Sequence, residues 1–301
     1  MSLQLTTQQL EYLVAATRAP SSADAAQSLG VTPSALSQGL TELERRLGLP
    51  LFEREGRSRV LTSYGREVLD YAQRIVGLTS DLAQWAEAAQ KGETGRVSIG
   101  LIDVAAVHHF ASSLTRFRRS RPDADLHLTV DASAALVEQV RSGRLDAAVV
   151  VEPVEPVDGI VAELLLTEKM AVYPPPDITV GHPSTWGPWV AFPASSYTRR
   201  LVTRSLRAVG ATYDITAESH QPDVLRRMVA IGLGWAVLPV IQAETEPAPL
   251  KRARAAPVWN RRLVIVRRER SAIGPATGAL LDLLVSHAAS TGAASAVATM
   301  S

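Results

Sequence analysis

Apolar residues recur along the first sixty positions at helical spacing. Leu10, Leu13 and Val14 fall on one helical face, and Pro20-Ser21-Ser22 ends that helix and supplies caps for the next. Ala23–Leu29 reads as a second short helix closed by Gly30, a residue that reaches the left-handed conformation a helix end needs. Val31 enters a turn, Thr32 is a good N-cap, and Pro33 takes the first helical position, where a missing N–H costs nothing. Leu36, Leu40, Leu43 and Leu47 then form a stripe that stops at Gly48. Ser34, Ser37, Gln38, Thr41, Glu42, Arg45 and Arg46 occupy the opposite face, so this helix packs through its leucines and turns hydrogen-bonding groups outward. Leu51–Leu61 alternates about a glycine and predicts a short hairpin, or wing.

From Ser63 the period changes. Tyr64, Val68, Tyr71, Ile75, Leu78, Leu82, Trp85 and Ala89 are spaced by four and three in turn, an a/d heptad pattern. Such a stripe on one long helix needs a partner, and a second copy of the same helix supplies it. Homodimerisation through Tyr64, Val68, Tyr71, Ile75, Leu78, Leu82 and Trp85 is expected. Lys91–Gly95 is a polar joint. Beyond it, strands are expected at 97–102, 126–130 and 147–151, with helices at 106–120 and 134–142 between them. A second series follows, with strands at 170–173, 189–192, 215–218, 235–238 and 263–266 and helices at 198–209, 224–231 and 278–287. Within 97–151, strands interleaved with helices imply a mostly parallel sheet covered on both faces. Ala288–Ser301 reads as a frayed tail.

A length of 301 residues suggests two or three compact units, since single cores stop growing at roughly 250 to 300 residues. The absence of cysteine excludes disulfides, a thiolate nucleophile and Cys-based metal sites. Met1–Pro20 lacks the charged and hydrophobic regions of a signal peptide, and the longest mostly apolar stretch, Ile231–Ile241, falls short of the about 20 residues that cross a bilayer. A cytoplasmic protein with no membrane partner is expected. The formal net charge of +1 argues against indiscriminate coating of nucleic acid. Yet Arg45, Arg46, Arg54, Arg57, Arg59 and Arg66 fall within 22 residues. Beside them, Ala25 and Ala26 let two helices approach closely, and the second exposes groups suited to base edges in a major groove. A plain helical hairpin is the alternative at this stage.

Catalytic patterns are missing. The six histidines are scattered or, at His108-His109, adjacent; there is no HExxH, no nucleophile elbow and no phosphate loop, and Gly232-x-Gly234 lacks a third glycine. No metal site, cofactor or catalytic residue is expected. Lys251–Arg270, rich in arginine, reads as a solvated face first and a second DNA or partner surface only distantly.

Several runs together resemble the LysR-type transcriptional regulators. They are Ala25-Ala26, Val31–Ser37, Leu43–Gly48, Leu51–Arg54 and Leu61-Thr62 in the winged-helix part, then Ile99-Gly100, Phe117-Arg118 with Pro122, Arg144–Val149 and Gly232–Pro239 beyond it. The resemblance implies a winged helix-turn-helix at 1–62, a linker helix at 63–91 and a two-lobed, periplasmic-binding-protein-like α/β effector domain at 92–301. Lobe I is expected at about 95–165 and 268–290, lobe II at about 166–267. It also implies operator DNA and a small-molecule effector as partners, and a homodimer assembling to a homotetramer. Gly39 departs from the family's bulkier residue, and Ser63-Tyr64 from its usual Pro-Ala. An enzyme on the α/β lobes and an effector-independent DNA-binding protein are the rival readings.

Ser34, Ser37, Gln38 and Thr41 are then the candidates for base edges and adjacent phosphates, Thr32 with Pro33 for phosphate at the helix start, and Arg54, Arg57 and Arg59 for wing contacts. For Arg45 and Arg46, ion pairing with Glu42 or Glu44 is the better reading. Open α/β sheets bind ligands at the carboxyl ends of their strands. That rule puts Ile102, Asp103, Val104 and Ser133 in lobe I at the effector, with Ser195, Ser196 and Thr198 in lobe II; the resemblance implies effector contact at Ser133, and His220 and Trp235 are weaker candidates, more often packed residues. Asp103 suits either a ligand donor or a helix cap.

Overall fold

The computed structural model describes residues 4–55, 58–91, 95–271 and 273–298; within them the side chains of 55, 58, 81, 84, 85, 87–91 and 292–298 fall outside the description. The chain divides into two compact units, Met1–Glu87 with Arg141–Arg144, and Ala88–Val140 with Leu145–Ser301.

In the first unit, α1 (Thr7–Arg18), α2 (Ser22–Ser28) and α3 (Pro33–Leu47) precede a hairpin of β1 (Phe52–Glu55) and β2 (Ser58–Leu61), and a long helix, α4 (Ser63–Lys91), follows. Each start has a local cause. Thr6 and Gln9 close a capping box on α1, Ser21 caps α2, and the Thr32 hydroxyl accepts from the Ala35 amide at 3.2 Å with Pro33 at the first turn of α3. Gly30 and Gly48 take φ of 66° and 68° where the chain leaves α2 and α3. Leu10, Leu13, Val14, Ala25, Ala26, Leu36, Leu40 and Leu43 make one buried core, which Ala72 of α4 joins and against which Val68, Leu69 and Val76 pack. Gly39 has a steric reason: a Cβ there would lie 2.4 Å from Tyr12 Cδ2. Its bare backbone lets the buried Tyr12 ring lie on α3.

In the second unit, β3 (Arg96–Leu101), β4 (Asp125–Val130), β5 (Ala147–Val151), β6 (Ile160–Tyr173), β9 (Ala236–Pro239) and β10 (Trp259–Arg268) form one sheet in the order β4-β3-β5-β10-β6-β9. The strands β7 (Trp189–Ala191) and β8 (Ile215–Glu218) pair separately. The helices are α5 (Ala111–Ser120), α6 (Ser133–Arg141), α7 (Tyr197–Ala208), α8 (Pro222–Ala230), α9 (Val240–Ala243) and α10 (Pro275–Ala298). One core gathers Ile99, Phe110, Phe117, Leu136, Val149 and Leu280 in lobe I. Two smaller ones, around Trp189 and Trp235 and around Tyr173, Phe192 and Leu225, build lobe II.

Three expectations need correction. The strands expected within 97–151 run parallel as anticipated, β3 beside β4 and β5, and the whole sheet is mixed because β10 is antiparallel to β5 and β6, and β6 to β9. The cause is that β6 and β10 are long strands running through both lobes in opposite directions. Leu263–Val266 of β10 therefore belong to the core of lobe I, not to a lobe II ending near residue 267. The helix expected at 106–120 opens instead with a π-helical turn, Ala105–His109. Finally, α10 continues to Ala298 through the segment read as a tail, in keeping with its alanine content.

Candidate functional site

Helix α3 presents the first site. Ser34, Ser37, Gln38 and Thr41 are all exposed, while Leu36, Leu40 and Leu43 behind them are at most 2% exposed. Thr32 and Pro33 stand exposed at its start. Arg45 and Arg46 each lie 2.6 Å from Glu42, and their hydrogen bonds pull its carboxyl pKa down to about 2. That is the ion pairing anticipated for them. On the wing, Arg54 stands opposite Arg59 in register. Facing like charges repel, and the Arg59 guanidinium lies 4.0 Å over the Phe52 ring and 4.0 Å from Glu44. Glu44 also accepts from the Leu51 and Phe52 amides, at 2.8 and 3.2 Å, which ties the end of α3 to the wing. Arg57 lies outside the described residues.

The heptad stripe of α4 is split between two surroundings. Val68 turns toward the core of its own unit. Tyr64, Tyr71, Ile75, Leu78 and Leu82 are 40–63% exposed. The Trp85 side chain lies outside the description.

A cavity of about 210 Å³ opens between the lobes of the second unit. Of the residues expected there, Ile102, Asp103, Val104, Ser133, Ser196, Thr198 and His220 line it; Ser195 does not and is exposed beside it. The topology accounts for the gathering. Ile102–Val104 follow β3, Val130–Ser133 join β4 to α6, and Val151 ends β5. From lobe II come Phe192 after β7, Ser196 and Thr198 at the start of α7, and His220–Pro222 between β8 and α8. The Ser133 hydroxyl accepts from the Val151 amide at 3.1 Å.

Arg261 also lines the cavity, and it corrects the reading of Lys251–Arg270 as a solvated face: Arg261 is 2% exposed and Arg268 6%. Its Nε donates to Glu168 at 2.7 Å and its Nη1 to Thr198 Oγ1 at 3.0 Å. Glu168 faces it in register across β6 and β10 and lies 3.3 Å from His109 Nε2. Burial alone would raise the Glu168 pKa; Arg261 and His109 overcome that and hold it below the usual carboxylate range. The available signal for Arg261 was its two-residue register with Leu263 on an alternating strand, which makes it inward-facing.

Asp103 accepts from Gln242 Nε2 at 3.3 Å, and the turn that follows it has no side-chain cap, so the capping role falls away. Burial, and then the charge of Asp223, raise the Asp103 pKa. Among the described residues no group of three or more His, Asp or Glu could hold a metal ion, and no helix is long and apolar enough to cross a membrane.

Residues 90–289 match the model of the LysR substrate binding domain, and residues 7–66 that of the bacterial regulatory helix-turn-helix protein, lysR family. Over 286 residues the chain is 27% identical to YfeR of Shigella flexneri, an uncharacterized HTH-type transcriptional regulator, covering 92% of each chain. Among solved structures it matches a full-length OxyR variant from Pseudomonas aeruginosa with a TM-score of 0.63 at 22% identity, over 94% of this chain and 98% of that one. It also matches full-length CbnR complexed with its target DNA, with a TM-score of 0.59 at 18% identity, over 94% of this chain and 100% of that one. At these identities the two structures share the fold.

Proposed function

This chain belongs to the LysR family of transcriptional regulators, and from that premise we propose how its parts divide the work. It is a DNA-binding regulator with an effector-binding domain, not an enzyme. In the proposed division, residues 1–62 read operator DNA, 63–91 dimerise, and 92–301 sense a small molecule, in the cytoplasm where the DNA lies. Ser34, Ser37, Gln38 and Thr41 meet base edges, Thr32 and Pro33 a phosphate at the helix start, and Arg54, Arg57 and Arg59 the backbone beside the wing. Tyr64, Tyr71, Ile75, Leu78, Leu82 and Trp85 join two copies, with Val68 at the edge, and dimers pair into a tetramer. Ile102, Asp103, Val104, Ser133, Ser196, Thr198 and His220 touch the effector. A ligand with different affinity for two arrangements of the lobes biases the molecule between them; one without that difference shifts nothing.

The observation that carries the DNA reading is the division of α3 into a buried leucine face and an exposed Ser34, Ser37, Gln38, Thr41 face. Promoter DNA flanking the chain's own gene tests it. Gln38→Ala is expected to lose about 1–3 kcal/mol of discrimination between operator and unrelated DNA. Arg54→Ala should weaken both and reduce the salt slope by about 1. If both folded variants bind like wild type, the residue assignment is wrong.

A further inference from the structure

Charge at the interlobe cavity falls into two groups of opposite sign. The first gathers about Arg261. Its guanidinium carries five N–H groups, of which one on Nε goes to Glu168 and one on Nη1 to Thr198. Nη2 lies 2.6 Å from Glu168 in the same buried ion pair. Nη1 carries two N–H groups and Thr198 takes one, so the second remains for a ligand oxygen. The N-terminus of α7, whose Thr198 bonds Arg261, reaches the same cavity through Ser196 and has no side-chain cap. Its unbonded amides and positive dipole end favour a carboxylate.

The second group is acidic. Asp103 and Asp131 both line the cavity, and the only hydrogen bond to the Asp103 carboxylate found among the described residues comes from the neutral Gln242 amide. Asp223, nearby, adds a like charge that outweighs the opposing influence of His108, so an ammonium arriving at Asp103 would be welcomed. Val104, Val130, Val151 and Phe192 add apolar lining.

Balance decides the ligand class. Glu168 already neutralises Arg261, so a plain anion would meet the Asp103 and Asp131 carboxylates, whose hydrogen bonds come only from neutral amides among the described residues. A plain cation would leave the second Nη1 N–H of Arg261 and the start of α7 unanswered. A molecule bearing both signs answers both, and a cavity of about 210 Å³ suits one of amino-acid size. We propose that the interlobe cavity binds a zwitterion, an aliphatic α-amino acid, with its carboxylate toward Arg261 and the start of α7 and its ammonium toward Asp103 and Asp131. This rests on the reading of the cavity as the effector site.

The test uses the full chain, calorimetric titration and five probes: L-alanine, L-valine, L-leucine, L-isoleucine and L-methionine, each with its decarboxylated amine and its deaminated acid. At least one amino acid should bind, with its amine and its acid each weaker by about tenfold or more, the scale of one lost hydrogen bond to a charged group. Asp103→Asn should weaken the amino acid by a similar factor while leaving the acid unchanged; if that variant does not fold, the wild-type probe comparison decides alone. The proposal is overturned if none of the five binds, or if an amine or acid binds as tightly as its amino acid. Ala132→Trp, which fills the cavity, separates the two ideas. An acid or amine that binds wild type as tightly as its amino acid and is lost in that variant keeps the effector site and removes the zwitterion, whereas amino-acid binding that survives it removes both.

Discussion

Glu168 and Arg261 carry a large single-residue stake in the second unit, because each is buried and each neutralises the other. Removing one partner leaves the other charged and desolvated, so Glu168→Gln is expected to cost about 3 kcal/mol in urea unfolding. The sign with pH follows from the lowered carboxyl pKa. The contribution is complete above the unfolded-state value of about 4.3 and is lost as pH falls through the lower folded-state value. The variant should therefore lose stability less steeply on the acid side than wild type; parallel acid-unfolding curves would refute the assignment. Gly39→Ala sets two effects against each other. Alanine gains about 1 kcal/mol of helix propensity, while a Cβ 2.4 Å from a buried Tyr12 ring carbon costs about 1–3 kcal/mol in overpacking. Overpacking wins, and the thermal midpoint should fall; in a Tyr12→Leu background the same change should raise it. Neither effect was legible locally. Arg261 lies 93 positions from Glu168, and Tyr12 lies 27 positions before Gly39, so no local spacing rule links either pair.

At the scale of the element, α4 has two faces with different fates. Ala72, with Val68, Leu69 and Val76, packs on the winged-helix core, whereas Tyr71, Ile75, Leu78 and Leu82 remain exposed in the single chain. The heptad spacing was plain in the sequence, but it could not assign Val68, which the intrachain core claims. Because Ile75 is 40% exposed, Ile75→Asp should leave the protomer folded and place a charge in the proposed seam. Sedimentation should then report half the wild-type mass or less; an unchanged mass with intact helicity would count against dimerisation through this helix. Strands β6 and β10 show the opposite limit. Their short apolar cores, 170–173 and 263–266, were readable, but their full extents, 160–173 and 259–268, include charged residues whose strand conformation is imposed by pairing with each other. Local pattern underestimates a strand that crosses from one lobe to the other, since its middle neither alternates cleanly nor sits wholly in one core.

For the whole molecule, a net charge of +1 limits non-specific affinity, because there is little summed attraction to phosphate. Operator binding should exceed binding to unrelated DNA by about a thousandfold or more at physiological salt. Competition with random duplex measures the ratio, and a value near one would remove sequence-specific reading. The sequence alone determined what depends on neighbours within a few positions: the capped helices, the leucine stripe of α3, the wing, the heptads of α4 and most strands of the α/β region. It also placed residues at strand ends, where a parallel arrangement exposes them, and seven of the nine cavity candidates do line one cavity. What only the tertiary structure decided was everything that depends on distant chain meeting: the antiparallel return of β6 and β10, the burial of Arg261 against Glu168, the seat of Tyr12 on Gly39 and the joining of Asp103 to Gln242. The reason is physical. Helix caps and periodicities are set by bonds and spacings that span a turn or two, whereas a buried charge is tolerable only where its partner arrives, and the fold brings that partner from far along the chain.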